Sequence, residues 1–128
     1  MRQSLIDKNT VRVEAYEKRN KQSDKDALSQ QICQKVIEQP SYQGAKTVMW
    51  YVDCRSEVRT QTIIKQELGQ NRRIVIPFCT QDSVGKNQLG LWLLDDLSEL
   101  VRGCWGILEP PESRWYESGK QVAIEALD

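Results

Sequence analysis

The sequence predicts an α/β fold built on a βαβ core, and three observations carry that prediction. Two β-prone runs, residues 47–52 and 73–79, lack the apolar–polar alternation of a half-exposed strand, which is the pattern of strands covered on both faces. Between them lies a helix-prone stretch from Thr60 to Leu68. Strand, crossover helix and strand in that order place the two strands parallel and joined right-handedly.

Taken in order, residues 4–22 lack Gly and Pro and are rich in long polar side chains, which predicts a helix. Ser23 with Asp26 gives a capping-box-like start to a second helix. In it Leu28, Ser29, Ile32, Cys33, Val36 and Ile37 share one broad face suited to packing on a sheet, and Pro40 ends it. Residues 47–52 are the first strand and 53–58 a polar loop. Thr60 is placed to cap the crossover helix, with Gly69 as its left-handed stop. Pro77 is expected near the carboxyl end of the second strand, where a lost ladder bond matters least. A turn at 81–87 precedes a third apolar run, 89–94, and an acidic short helix around 95–101. Irregular chain follows at 103–111, then a stretch of mixed composition, 112–128. Two or three strands are fewer than an α/β sheet flanked by helices usually has, so the chain reads as unfinished.

A chain of 128 residues is one domain's worth of polypeptide. Its 18 Lys and Arg balance 18 Asp and Glu, so no global field recruits nucleic acid or an anionic membrane. Residues 1–25 nevertheless carry seven basic against four acidic side chains, which leaves room for a local anion site. Histidine is absent, removing Ser-His-Asp and Cys-His triads, imidazole general bases and imidazole zinc sites. Cys33, Cys54, Cys79 and Cys104 form no C-x-x-C pair, which points to reduced thiols in a cytoplasmic protein. The first residues have no apolar h-region and the longest apolar run is five residues, 48–52, so neither a signal peptide nor a membrane span is expected.

Three sets of residues are candidates for chemistry. On a helical wheel Lys8, Arg12 and Arg19 fall within about 40° of one another. Ser4, Val11 and Ala15 flank them on one side, and Leu5 and Tyr16 on the other. Such a stripe either presents cations to phosphates from a docked helix or snorkels over packed stems. Glu57 stands in the loop leaving the first strand, where α/β proteins place ligand groups, and an acid there can accept two ring N–H donors; the alternative is a surface ion pair with Arg55 or Arg59. Trp50 and Trp92 are placed to fill the core, whereas Trp105, between Gly103 and Gly106, has the better claim to line a cleft. No glycine-rich phosphate loop is present.

The order of short signals has a known counterpart. Lys8 and Arg12 with Arg19 are followed by Pro40-Ser-Tyr-Gln-Gly-Ala-Lys-Thr-Val48, Trp50-Tyr-Val52, Glu57-Val58 and Thr60. Ile74-Val-Ile-Pro77 and Gly103-Cys-Trp-Gly-Ile-Leu-Glu-Pro110 complete the series. Together they resemble the 5-formyltetrahydrofolate cyclo-ligase family, also called methenyltetrahydrofolate synthetase. The resemblance implies a three-layer α/β sandwich with a mostly parallel sheet. It also implies a ligase that uses ATP and magnesium to convert 5-formyltetrahydrofolate to 5,10-methenyltetrahydrofolate: ATP phosphorylates the formyl oxygen, N10 attacks the activated carbon, and phosphate leaves. By the same resemblance Lys8, Arg12 and Arg19 bind ATP phosphates, and Val52, Glu57 and Trp105 contact the folate, with Glu57 facing pterin N–H groups. Glu109 and Pro110 shape the pocket, and no catalytic residue is assigned.

The partners it implies are small molecules, 5-formyltetrahydrofolate and ATP, acting on a cytoplasmic monomer. The family continues with a further strand and a glycine-rich R-L-G-x-G-x-G-Y-Y-D loop that wraps ATP and helps place magnesium. Asp128 stands where that strand is expected to begin, so residues 1–128 read as a single, partial domain, truncated at the carboxyl end, with the metal ligands in the missing segment. The alternative is a non-catalytic fragment or interaction module that retains the βαβ core.

Overall fold

Hydrogen-bonding demand and the position of one proline account for most of the sheet. A computed structural model describes residues 7–128. Among these residues four α-helices lie in the first half: α1 (Lys8–Lys21), α2 (Lys25–Ile37), α3 (Pro40–Gln43) and α4 (Gln61–Leu68). Strand β1 (Thr47–Met49) precedes α4, and β2 (Arg73–Gln81), β3 (Asn87–Leu94), β4 (Val101–Arg102) and β5 (Leu108–Glu109) follow it. The main sheet has the order β1-β2-β3, and β4 and β5 form a separate small antiparallel pair.

The predicted βαβ unit is present, with β1 parallel to β2. The sheet is nevertheless mixed rather than mostly parallel: β3 pairs antiparallel with β2 along its whole length, from Ile74↔Leu94 to Gln81↔Asn87. A five-residue turn explains this, because only an antiparallel partner can be reached so soon. Asp82 builds the turn by accepting from the amides of Val84 and Lys86 at 3.0 and 2.9 Å.

Pro77 lies in the middle of β2 rather than near its end. The amides of alternate β2 residues point to opposite edges, and Val75 and Pro77 share the edge that faces β1. Trp50 N–H donates to Val75 O at 2.9 Å, and the next amide due on that edge is the one proline lacks. The β1 ladder therefore stops there, so regular β1 ends at Met49 instead of Val52, and the two chains separate. Trp50 and Val52 remain buried beyond the ladder.

One apolar cluster joins Cys33 and Ile37 of α2, Ile63 and Ile64 of α4, and Ile74, Ile76, Phe78, Trp92 and Leu94 of the sheet. Both core assignments, Trp50 and Trp92, hold. Phe78 stacks edge-on against Trp92 with ring centroids 6.0 Å apart. A Cβ on Gly90 would come within 2.6 Å of the Phe78 ring, so only glycine lets that ring lie across β3. A polar knot braces α3 against α4: Tyr42 Oη donates to Glu67 at 2.7 Å and accepts from Trp50 Nε1 at 3.1 Å, while Arg72 pairs with Glu67 at 3.1 Å. Burial, and then the bond to Glu67, push the Tyr42 phenol up to about 12.

Several local expectations are corrected. The capping box at Ser23 does not form; α2 starts after Asp24, whose backbone is left-handed and whose side chain makes no cap bond. Only Ser29, Cys33 and Ile37 of the broad α2 face are buried, while Leu28, Ile32 and Val36 stay exposed. The buried half is held by the chain entering α4: Arg59 N–H donates to Ser29 Oγ at 2.8 Å and Cys33 Sγ donates to Arg59 O at 3.6 Å. Gly69 stops α4 with right-handed geometry, φ −82°. The acidic helix at 95–101 shortens to one 3-10 turn, Leu97–Glu99, closed by a capping box between Asp96 and Glu99.

Residues 120–128 tie the two edges of the sheet. Leu93 N–H donates to Lys120 O and Val122 N–H to Leu91 O along the outer edge of β3. At the other edge Asp128 N–H donates to Thr47 O, and the Asp128 carboxylate accepts from the amides of Lys46 and Thr47 at 2.7 and 2.8 Å. No helix among the described residues is long and apolar enough to cross a membrane.

Candidate functional site: a cleft beyond the end of β1

The separation of β1 from β2 at Pro77 opens the chain between Tyr51 and Thr60 into a loop, and that loop is held by an acid inside it. Asp53 Oδ1 accepts from the amides of Thr60 and Gln61 at 2.8 and 3.1 Å. The first amides of α4 are therefore capped by Asp53, not by the Thr60 side chain as expected. Thr60 Oγ1 accepts from Asp53 N–H at 3.0 Å and donates to Tyr51 O at 2.7 Å, closing the loop on itself.

Across from it, residues 103–107 turn tightly between β4 and β5. Glu109 folds back under Gly103 and accepts from Cys79 N–H at 3.4 Å, taking up the edge of β2 past Pro77. A Cβ on Gly103 would sit 2.0 Å from the Glu109 carboxylate, so this close approach requires glycine. Glu109 and Pro110 are both buried, and they support the turn from beneath. Trp105 at its apex has φ 60°, ψ 20°, a strained conformation for a large side chain, and is 76 % exposed.

The loop and the turn enclose a cleft of about 450 Å³ lined by Asp53, Arg55, Gln61, Arg102, Trp105 and Leu108. Its size lies within the range of small-molecule sites, and its place beyond the carboxyl end of a parallel strand is where α/β proteins bind ligands. Arg55 is also left-handed, at φ 53°, and its Nη2 donates to Trp105 O at 2.9 Å. Two strained residues thus face each other across one opening.

The residues singled out in the sequence are distributed unevenly. Trp105 lines the cleft as expected. Val52 lies at the start of the loop, buried in the core cluster, and does not line the cleft. Glu57 is exposed in the same loop and does not line the cleft. One of its oxygens accepts from Cys54 N–H at 2.9 Å, and it pairs with neither Arg55 nor Arg59; Arg59 instead lies 3.8 Å from Asp53 and 3.9 Å from Asp26. Lys8, Arg12 and Arg19 do share α1, but the helix buries none of its residues. Val11 and Tyr16, the expected apolar shoulders, are exposed, and Ser4 and Leu5 lie outside the described residues. No α1 residue lines the cleft. Asp53 and Arg102 escaped sequence reasoning because their roles come from pairings between distant segments. Arg55 was visible only as a possible partner for Glu57.

Among the described residues no group of three or more Cys, Asp and Glu side chains is gathered to hold a metal ion. Among the described residues the α1 cations are exposed, and no glycine-rich loop forms a backbone cradle of the kind that wraps a triphosphate.

A family model described as the 5-formyltetrahydrofolate cyclo-ligase family matches residues 5–127. The chain belongs to this family. Among curated proteins it is similar to the "Probable 5-formyltetrahydrofolate cyclo-ligase" of Caenorhabditis elegans, with 27 % identity over 92 residues, covering 69 % of this chain and 45 % of that protein. The chain thus spans about half the length of the cyclo-ligase relative it matches. Its fold is similar to the NMR structure of Aquifex aeolicus 5,10-methenyltetrahydrofolate synthetase, with a TM-score of 0.73 at 23 % identity over 94 % of this chain and 57 % of that one. The cyclo-ligase fold thus accounts for the mixed α/β architecture.

Proposed function

We propose that this chain supplies the folate-binding part, and a share of the ATP-binding part, of an ATP-dependent ligase that converts 5-formyltetrahydrofolate to 5,10-methenyltetrahydrofolate. The observation that carries the proposal is the family match over residues 5–127, which spans the α1 cations and the cleft alike. In this reading the flat ring system of the folate lies on Trp105 in the cleft beyond β1, and Val52 and Glu57, which stand in the same loop outside the cleft lining, contact the folate from beside it, Glu57 by meeting pterin N–H groups. Glu57 has one oxygen engaged by Cys54 N–H, which leaves the other for the ligand. Lys8, Arg12 and Arg19 neutralise ATP phosphates, and magnesium, when bound, supplies further charge neutralisation on the phosphoryl group. In this reading the chain belongs to one three-layered domain and works as a cytoplasmic monomer on small molecules.

The test is the absorbance of the methenyl product formed by the full-length gene product with 5-formyltetrahydrofolate, ATP and magnesium. ATP-dependent product is expected, and the 128-residue chain alone, which spans 45 % of the curated relative it matches, is expected to give none. A folded full-length protein that neither forms product nor binds 5-formyltetrahydrofolate in a calorimeter would overturn the proposal.

A further inference from the structure

The cleft carries a cation pair that the proposed roles leave unused. Arg55 and Arg102 both line it and both are exposed. Each guanidinium is tied to one of two successive carbonyls of the turn: Arg55 Nη2 donates to Trp105 O at 2.9 Å, and Arg102 Nη1 to Gly106 O at 3.5 Å. Among the described residues neither forms an ion pair, unlike Arg59, Arg72 and Arg114, which all face carboxylates. Asp53, the acid in the lining, is turned away to cap α4. The α4 amides it occupies are equally closed to an incoming anion. A guanidinium has five N–H donors in a planar fork, so one bond to a carbonyl leaves each arginine with donors for a carboxylate. The side chains are orientated by the turn they bind, and the turn in turn holds Trp105 in its exposed position.

We infer that Arg55 and Arg102 form a carboxylate-binding subsite at the edge of the Trp105 surface and set the preference for the anionic tail of the ligand. The ligand class that fits is an aromatic group bearing carboxylates, with the ring against Trp105 and the acid between the two guanidinium groups. This rests on the folate reading above, since a folate joins a ring system to one or more glutamates. The two arginines are then specificity-determining residues: each added glutamate raises affinity through charge at an exposed site, and salt weakens that gain.

The experiment measures binding to the full-length protein by quenching of tryptophan emission and by calorimetry. The probes are 5-formyltetrahydrofolate with one and with three glutamates, and 5-formyl-6-methyltetrahydropterin, which has no tail. Arg55→Gln and Arg102→Gln are made singly and together. The double variant is expected to bind the triglutamate about tenfold or more weakly and the tail-less pterin as the unaltered protein does. Arg55→Lys with Arg102→Lys, which keeps charge but not the fork, is expected to recover part of the loss at low salt. Equal weakening toward all three probes would overturn the inference, because the arginines would then serve only to brace the turn. Unchanged triglutamate binding would overturn it too, while leaving the folate reading intact. An unaltered protein that binds none of the probes would overturn both.

Discussion

Glu109 is buried beneath the turn at 103–107 only because position 103 has no side chain. A methyl group there meets the Glu109 carboxylate, its carboxyl carbon and its Cγ, all closer than 3 Å. Since Glu109 is enclosed, it cannot swing clear without giving up its contact with Cys79 N–H. Gly103→Ala is therefore expected to destabilise the fold by about 1–3 kcal/mol. It should also move the Trp105 emission maximum, whereas a substitution at the unobstructed Gly119 that tolerates its positive φ, such as Gly119→Asn, should leave that maximum in place. Denaturant midpoints and emission spectra of the two variants check this.

At the scale of elements, α4 depends on an acid seven residues before its first cap position, whereas α1 is capped by its neighbour Asp7 and buries none of its residues. Asp53→Ala removes the acceptor for the Thr60 and Gln61 amides and is expected to cost about 1–2 kcal/mol, the scale of a lost helix cap. Hydrogen exchange should show the loss first in the amides of α4. Lys8→Ala and Arg12→Ala should behave in the opposite way. Because α1 buries none of its residues, they should leave the thermal midpoint nearly unchanged. In the full-length protein they are expected to weaken ATP about 10- to 150-fold while leaving folate affinity alone. Unchanged nucleotide affinity in a calorimeter would remove ATP from the list of ligands of this stripe.

For the whole molecule, the crossing segment 120–128 is locked by charge. Lys120, only 7 % exposed, lies 2.9 Å from both Asp95 and Glu99, with its ammonium 5.0 Å from the centre of the Trp92 ring. Burial alone would raise the Glu99 carboxyl, but hydrogen bonds from Lys120 and from the amides of Asp95 and Asp96 outweigh it and hold the group below its ordinary value. Burial would likewise lower Lys120, and its bonds to Glu99 and Asp95 outweigh that, so its net shift is upward. A depressed carboxyl stabilises the fold above its unfolded value and loses that contribution as pH falls through the folded one. A raised ammonium stabilises below its unfolded value and loses the contribution as pH rises through the folded one. Stability should therefore be broad at neutral pH, fall below about pH 4 and fall again above about pH 10.5. Lys120→Met should remove the alkaline limb, weaken the acid one and destabilise at neutral pH, since Glu99 then keeps only the partly exposed Arg114 as a cationic partner. Thermal midpoints measured across pH for the two proteins test this.

The local signals in the chain determined much of this protein. The β-prone runs at 47–52 and 73–79 with a helix between them specify the parallel pair of β1 and β2, because a crossover of that length has one favourable hand. The order of short motifs placed the chain in its family, and Trp105 between two glycines was legible as a cleft residue. What the sequence could not decide were pairings between distant segments. Where Pro77 ends the β1 ladder depends on which edge of β2 its missing amide faces. Whether Asp53 or Thr60 caps α4 depends on how the loop closes, and whether α1 packs depends on what lies beside it. The cleft arises from the same cause: Arg55 and Arg102 are far apart in the chain, and only the meeting of the β1–α4 loop with the 103–107 turn puts both guanidinium groups on one opening.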